Sequence, residues 1–236
     1  MRLDKFLSET ATATRSEASK AARGGRIFVN GTPCKDSSCH IDPEKDEVVY
    51  CGEKVVYKKY IYVMLNKPEG YVSATEDGRD KTVLELLPEK LRGMSLFPCG
   101  RLDKNTTGLM LLTNNGELGH KLLAPKSHVS KTYRFKSLER LSDEDVKKLE
   151  GGVYISGGYL TKPAKIKLYD GSLEGEITIT EGKYHQIKYM FEAVKNKITE
   201  LERISFGPLK KDENLPCGEW RYLSSDEEKS LIDHCK

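Results

Sequence analysis

The chain has 236 residues, 37% of them apolar and 32% charged, with 39 lysines and arginines against 36 acids for a formal charge of +3. This composition suits one large folded domain, or a large and a small one, and excludes an intrinsically disordered chain and a polycation. A nucleic-acid surface would have to come from local clustering of bases.

No stretch reaches the roughly 18 apolar residues of a membrane span. The opening residues mix an acid with bases and lack a long apolar run, so neither a membrane protein nor a secretory leader is expected. Cys34, Cys39, Cys51, Cys99, Cys217 and Cys235 are read as reduced thiols, which fits a cytoplasmic location. Cys34-x4-Cys39-His40 lacks a Cys-x2-Cys pair and a fourth ligand, so no metal site is expected there.

In chain order, Leu3, Phe6 and Leu7 have helical spacing. Thr14 or Ser16 is placed to cap a second helix that runs to Arg23, and Gly24-Gly25 ends it. Arg26-Ile-Phe-Val-Asn-Gly31 reads as a strand into a tight turn, and a second strand is expected near Glu47 to Cys51. A polar link containing Lys54, Lys58 and Lys59 follows, so residues 1 to about 58 are expected to form a separate module.

The remainder, from about residue 60, reads as one α+β domain. Strands are expected at Ile61 to Leu65, Leu109 to Thr113, Thr132 to Lys136, Ala164 to Tyr169, Glu176 to Thr180 and Leu201 to Phe206. Ser142 with Asp143, Glu144 and Asp145 marks a helix start, and Gly151-Gly152 its end. From Tyr184 onward, Ile187, Phe191 and Val194 form one apolar helical face. Ser225-x2-Glu228 predicts a capping box for a last helix. No strand–helix–strand repetition with a Gly-rich turn occurs, which argues against a doubly wound parallel sheet.

The segment with the most chemistry is Gly100-Arg-Leu-Asp-Lys-Asn-Thr-Thr-Gly-Leu-Met-Leu-Leu-Thr113, a charged loop that runs straight into an apolar strand. Asp103, beside Arg101, is a carboxylate fit to act as nucleophile or base, with Thr106, Thr107 and Gly108 shaping the loop by hydrogen bonds and backbone freedom. Alone, the same residues also suit a surface turn with an Asp cap and an ion pair. His185 lacks a Gly-x-Ser-x-Gly partner and reads as a helix residue that is structural or faces RNA, which disfavours a hydrolase. Arg15, Lys20, Arg23 and Arg26 outnumber Glu17 and share part of a face, either a phosphate-binding one or a merely solvated one.

The string GRLDKNTTGLMLLT closely resembles the signature of the bacterial ribosomal pseudouridine synthases, of the small-subunit (RsuA-like) group. Met64-Leu-Asn-Lys-Pro-Glu-Gly-Tyr71, Lys131-Thr-Tyr-Arg134, Glu181-Gly-Lys-Tyr-His-Gln-Ile-Lys-Tyr-Met-Phe191 and Gly218-Glu-Trp-Arg-Tyr-Leu223 resemble further blocks of that family, in the expected order. Arg2-Leu-Asp-Lys-Phe-Leu7 and Gly25-Arg-Ile-Phe-Val-Asn-Gly31 resemble a small RNA-binding module first described in a ribosomal protein.

The resemblance implies a small N-terminal α/β RNA-binding module (1–58) and a catalytic domain (60–236) with a mixed, mainly antiparallel sheet. It implies isomerisation of one uridine of ribosomal RNA, most simply small-subunit (16S) rRNA, by a monomer without a cofactor. Asp103 would attack the extruded uridine or assist departure of its base. Tyr133 would stack on that base, Lys188 would pair with the carboxylate, and Leu201 would lie beneath the base. Arg101 would belong to the same catalytic group. Lys183 and Tyr189 stand where relatives often carry arginine or another base, which alters RNA contacts. A large-subunit rRNA synthase, or a non-catalytic RNA-binding ribosome-assembly protein, remains the alternative.

Overall fold

The structure, a computed structural model, describes residues 1–171 and 173–235. The chain forms two compact units: Met1–Ile61 with Leu87–Leu96, and Tyr62–Leu86 with the chain from Phe97 onward. No sequence signal had assigned the short return segment 87–96 to the first unit.

In the first unit, α1 (Leu3–Glu9) and α2 (Arg15–Arg23) precede strands β1 (Ile27–Val29), β2 (Thr32–Pro33), β3 (Val48–Tyr50) and β4 (Glu53–Val55), and the return segment adds α3 (Glu89–Arg92). Thr14, not Ser16, caps α2: its hydroxyl accepts from the Glu17 amide and the Glu17 carboxylate accepts from the Thr14 amide. The strands pair antiparallel in the order β2-β1-β3-β4. Lys54 therefore lies in a strand rather than in the expected linker, because the Cys51-Gly52 turn, with both residues at positive φ, folds the chain back on β3. Leu3, Phe6, Leu7, Ala18, Ala22, Ile27 and Val48 close the core. Cys34 and Cys39 are free thiols with their sulfurs 3.2 Å apart.

The second unit is built on a nine-stranded sheet. Its elements are β5 (Tyr62–Lys67), β6 (Phe97–Pro98), β7 (Thr107–Thr113), α4 (Gly116–Leu123), β8 (Lys131–Ser137) and α5 (Asp143–Gly151). The hairpin β9 (Tyr154–Ile155) and β10 (Tyr159–Leu160) follows, then β11 (Lys165–Leu168), β12 (Glu174–Ile179) and α6 (Gln186–Ala193). The chain continues through β13 (Ile198–Phe206), β14 (Leu209–Lys210), β15 (Trp220–Tyr222) and α7 (Ser225–Asp233). The strand order is β11-β12-β8-β13-β7-β5-β15, with β14 added to β13 and β6 to β7. β7 and β13 run parallel and the remaining neighbours in this sheet run antiparallel, giving the expected mixed, mainly antiparallel sheet.

The parallel step depends on Gly108. Its φ is +96°, and a Cβ there would lie 2.4 Å from the carbonyl oxygen of Arg203, so only glycine lets β7 approach β13.

Two helix starts differ from expectation. The last helix is capped by Ser224 with Glu227, one residue before the expected Ser225-x2-Glu228 box. Both registers satisfy the pattern, and Arg221 on β15 selects the first by forking onto both Glu227 oxygens at 2.7 and 2.8 Å. α6 begins at Gln186 rather than Tyr184, because His185 takes a left-handed backbone (φ 49°) and leaves Tyr184 exposed outside the helix.

Candidate active site

Asp103 lies in the loop between β6 and β7, and several groups hold that loop rigid. Ser73 donates its hydroxyl to the Leu102 carbonyl (2.8 Å) and accepts from the Leu102 amide (2.9 Å). The Gly70 amide donates to the Lys104 carbonyl at 2.8 Å. Behind the loop stands Lys67, the last residue of β5 and fully buried. Its ammonium donates to the carbonyls of Pro68 (3.1 Å), Asp103 (3.1 Å), Lys104 (3.3 Å) and Thr106 (2.8 Å). Burial pushes the Lys67 ammonium down to about 8, against the pull of the Asp103 and Glu69 charges. A cation thus gathers the backbone of the Asp103 loop from beneath.

The Asp103 side chain faces α6. Lys188 Nζ lies 2.8 Å from Asp103 Oδ2 and donates to Asn105 Oδ1 at 2.7 Å. His185 Nε2 is 3.6 Å from Asp103 Oδ1, and its ring stacks on Tyr184 with centroids 3.8 Å apart. The turn that delivers both residues is braced by Glu181, which accepts from Gln186 Nε2 (2.6 Å), the Lys162 amide (3.0 Å) and the Tyr159 hydroxyl (2.7 Å). The left-handed backbone at His185 is a strained conformation for a non-glycine residue, held here beside the candidate carboxylate.

These groups open on a cavity of about 810 Å³, whose lining includes Arg101, Asp103, Tyr133, Lys188 and Leu201. The five residues expected for catalysis and the base pocket therefore meet in one place. Tyr133 on β8 and Leu201 on β13 are buried wall residues. Arg101 is exposed and makes no ion pair with Asp103 within 4 Å. The cation on the carboxylate comes from a distant helix, not from the neighbour in sequence. Thr106 also departs from expectation: among the described residues its buried hydroxyl has no hydrogen-bond partner, so it does not shape the loop through a side-chain hydrogen bond.

Two groups near Asp103 are not expected from the sequence: Lys67, and His185, whose residue type and spacing place it within the helix. A lysine closing an apolar strand just before a proline was the available signal for the first. The approach of His185 to Asp103 leaves no local pattern. Lys183, one of the two positions that depart from the family pattern, sits over the Tyr159 ring at 4.4 Å. Tyr189, the other, lies beside His185, with ring centroids 6.0 Å apart.

On the first unit, Arg15, Lys20, Arg23 and Arg26 are all exposed. Arg2, Lys5, Lys45 and Lys54 each lie within 4 Å of a carboxylate, whereas among the described residues these four have none that close. The buried alanines Ala18, Ala21 and Ala22 occupy the other side of α2.

Residues 61–193 match the RNA pseudouridylate synthase family, and residues 1–48 match the S4 domain. The chain is 49% identical over 231 residues to an uncharacterized RNA pseudouridine synthase of Bacillus subtilis (strain 168), covering 96% of each. It is 38% identical over 234 residues to ribosomal small subunit pseudouridine synthase A of Haemophilus influenzae, covering 98% of this chain and 100% of that one. The crystal structure of a pseudouridylate synthase superposes with a TM-score of 0.69 at 37% identity, covering 98% of this chain and 99% of that one. The chain belongs to the RNA pseudouridine synthases, enzymes that isomerise uridine in RNA. Within them it falls in the RsuA-like group, an S4 domain followed by the synthase domain.

Proposed function

We propose that this enzyme converts one uridine of ribosomal RNA, in the small subunit, to pseudouridine, with Asp103 as the catalytic carboxylate. The observation that carries the reading is the Asp103–Lys188 pair, 2.8 Å apart, at the wall of a cavity large enough for a nucleotide. Its relatives named ribosomal small subunit pseudouridine synthase A, matched along nearly their whole length, support the small-subunit substrate.

The uridine is extruded from the RNA at a cost of roughly a few kcal/mol, which stacking on Tyr133 and contacts along the cavity offset. Asp103 acts at the sugar, as nucleophile or in assisting departure of the base. Lys188 orients its carboxylate, and Leu201 packs beneath the base. Arg101, at the exposed edge, meets the RNA backbone. Residues 1–58 hold the RNA through phosphate contacts of Arg15, Lys20, Arg23 and Arg26, and residues 60–236 carry out the reaction. The enzyme works as a cytoplasmic monomer. Among the described residues no helix is long and apolar enough to cross a membrane.

The test is a map of pseudouridines in ribosomal RNA from cells with and without the protein. Loss of a single small-subunit pseudouridine is expected. Loss of a large-subunit site would redirect the substrate, and an unchanged map would overturn the reading.

A further inference from the structure

Beyond Asp103, the cavity wall carries three polar groups that the proposed roles leave unused. Arg203 on β13 lies directly opposite Tyr133 of β8 and is only 1% exposed. Its Nε donates to the Leu109 carbonyl at 2.7 Å and its Nη2 touches Met110 Sδ at 3.8 Å. Among the described residues, no carboxylate lies within 4 Å of it and its Nη1 has no hydrogen-bond acceptor. Lys131 stands two residues before Tyr133 on β8 and so faces the same way. Its Nζ spends one hydrogen bond on the Val129 carbonyl, at 3.0 Å. The third group is Thr106, whose buried hydroxyl has no hydrogen-bond partner among the described residues. All three residues line the same cavity as Asp103.

Both cations gather round one ring: Lys131 Nζ is 5.7 Å and Arg203 Cζ 5.1 Å from the Phe206 centroid. A buried cation is normally paired, and an unfilled buried hydroxyl normally costs stability. Two cations with donors to spare and an unpartnered hydroxyl, on residues lining one cavity, describe a site for an electron-rich oxygen that arrives with the substrate.

We propose that Arg203, Lys131 and Thr106 bind a carbonyl oxygen of the extruded uracil and stabilise the negative charge that the base carries while detached from its sugar. The inference rests on the reading of Asp103 as the catalytic group. When the N1–C1′ bond breaks, its electron pair leaves with the base and spreads onto the ring carbonyls. The base turns, and a pair at C5 forms the C5–C1′ bond. C5 then gives up its proton to a base, and N1 takes one, so the product is a neutral isomer and no co-reactant enters. Donors fixed in a water-poor wall stabilise that anion without reorganising. Where the bound oxygen is O4, they also favour uracil over cytosine, whose C4 amine would set donor against donor. Burial, followed by the Arg203 charge, pushes the Lys131 ammonium down to about 8, as expected of a cation still lacking its anion.

The experiment compares wild type with Thr106→Val, Lys131→Met and Asp103→Asn. It uses the RNA segment around the mapped uridine, synthesised with uridine, 2-thiouridine or 4-thiouridine at that position. Single-turnover rate and RNA affinity are measured separately. For Lys131→Met we expect a rate loss on the order of 10²-fold, and for Thr106→Val about tenfold, with affinity unchanged.

One of the two thio substitutions should slow wild type and slow the variants much less, because sulfur weakens an interaction the variants already lack. Equal thio effects in every protein would overturn the proposal. So would weakened affinity with a normal saturated rate, which would make the cations phosphate ligands. Turnover by Asp103→Asn would instead remove the underlying site reading, whatever the thio series gives. If Lys131→Met fails to fold, the thio series on Thr106→Val decides alone.

Discussion

Lys188 Nζ contacts both Asp103 Oδ2, at 2.8 Å, and Asn105 Oδ1, at 2.7 Å, so one side chain from α6 ties the candidate carboxylate to the loop that carries it. The pair is partly exposed, and its value lies in orientation rather than in stability. Lys188→Ala should lower the single-turnover rate by roughly 10²-fold or more, while Lys188→Arg, which keeps the charge on a longer fork, retains part of it. Asp103→Asn should fold normally and form no detectable pseudouridine. Normal turnover by the alanine variant would reduce Lys188 to a surface charge.

Lys67 gives a pH signature that can be separated from the rest of the protein. Its buried ammonium sits at about 8 rather than at its ordinary 10.5. Between those values the unfolded chain holds a proton that the folded chain has released, so stability attributable to Lys67 rises with pH across that window. Lys67→Met removes this dependence and also strips the donor from four loop carbonyls, a cost of about 3 kcal/mol or more. Denaturant unfolding from pH 7.5 to 10 should show the gap between wild type and Lys67→Met widening with pH. Lys131, also lowered to about 8, is present in both proteins and cancels. A constant gap would mean that Lys67 titrates as an ordinary lysine.

Gly108→Ala should destabilise the second unit by about 3 kcal/mol, from a positive φ combined with a Cβ 2.4 Å from the Arg203 carbonyl oxygen. The check is thermal unfolding beside Gly116→Ala, where an added Cβ meets no atom within 4 Å. Similar melting points for the two variants would show that β7 and β13 adjust freely.

Most of the strand skeleton was legible because strand-sized apolar runs such as Leu109 to Leu112 are buried on both faces of the sheet, and because motif blocks fixed their order. The helix start at Ser142 was legible for a local reason, a hydroxyl followed by acids in the first turn, whereas the second helix left its cap open between Thr14 and Ser16 and Thr14 takes it through Glu17. Where two such patterns overlapped, as at Ser224 and Ser225, the choice lay with Arg221, a residue outside the helix. α4 (Gly116–Leu123) went unread although Asn115 caps it, and the short pairings of β6, β9, β10 and β14 carry too few residues for any period. At the site, Asp103, Tyr133 and Lys188 came from motif positions. The Lys67 cradle, the approach of His185 and the open Thr106 hydroxyl depend on residues brought together from separate segments, which no local pattern encodes.

The basic face of the first unit should hold RNA by its phosphates. Arg15, Lys20, Arg23 and Arg26 are exposed and, among the described residues, have no carboxylate within 4 Å, whereas Arg2, Lys5, Lys45 and Lys54 are each paired, so this face keeps its charge available to an outside anion. If the anion is RNA phosphate, replacing one of these bases by glutamine should take roughly 0.7–0.9 off the slope of log affinity against log salt. The quadruple variant should therefore bind RNA more weakly, with a flatter salt dependence, and roughly equally across unrelated sequences. Its choice of uridine should survive, because selection of the base belongs to the cavity around Asp103. The measurement is RNA affinity titrated against salt for wild type and variant, with pseudouridine mapping alongside. An unchanged slope would make this face merely solvated, and a shifted target uridine would mean that the module reads sequence as well as holding phosphate.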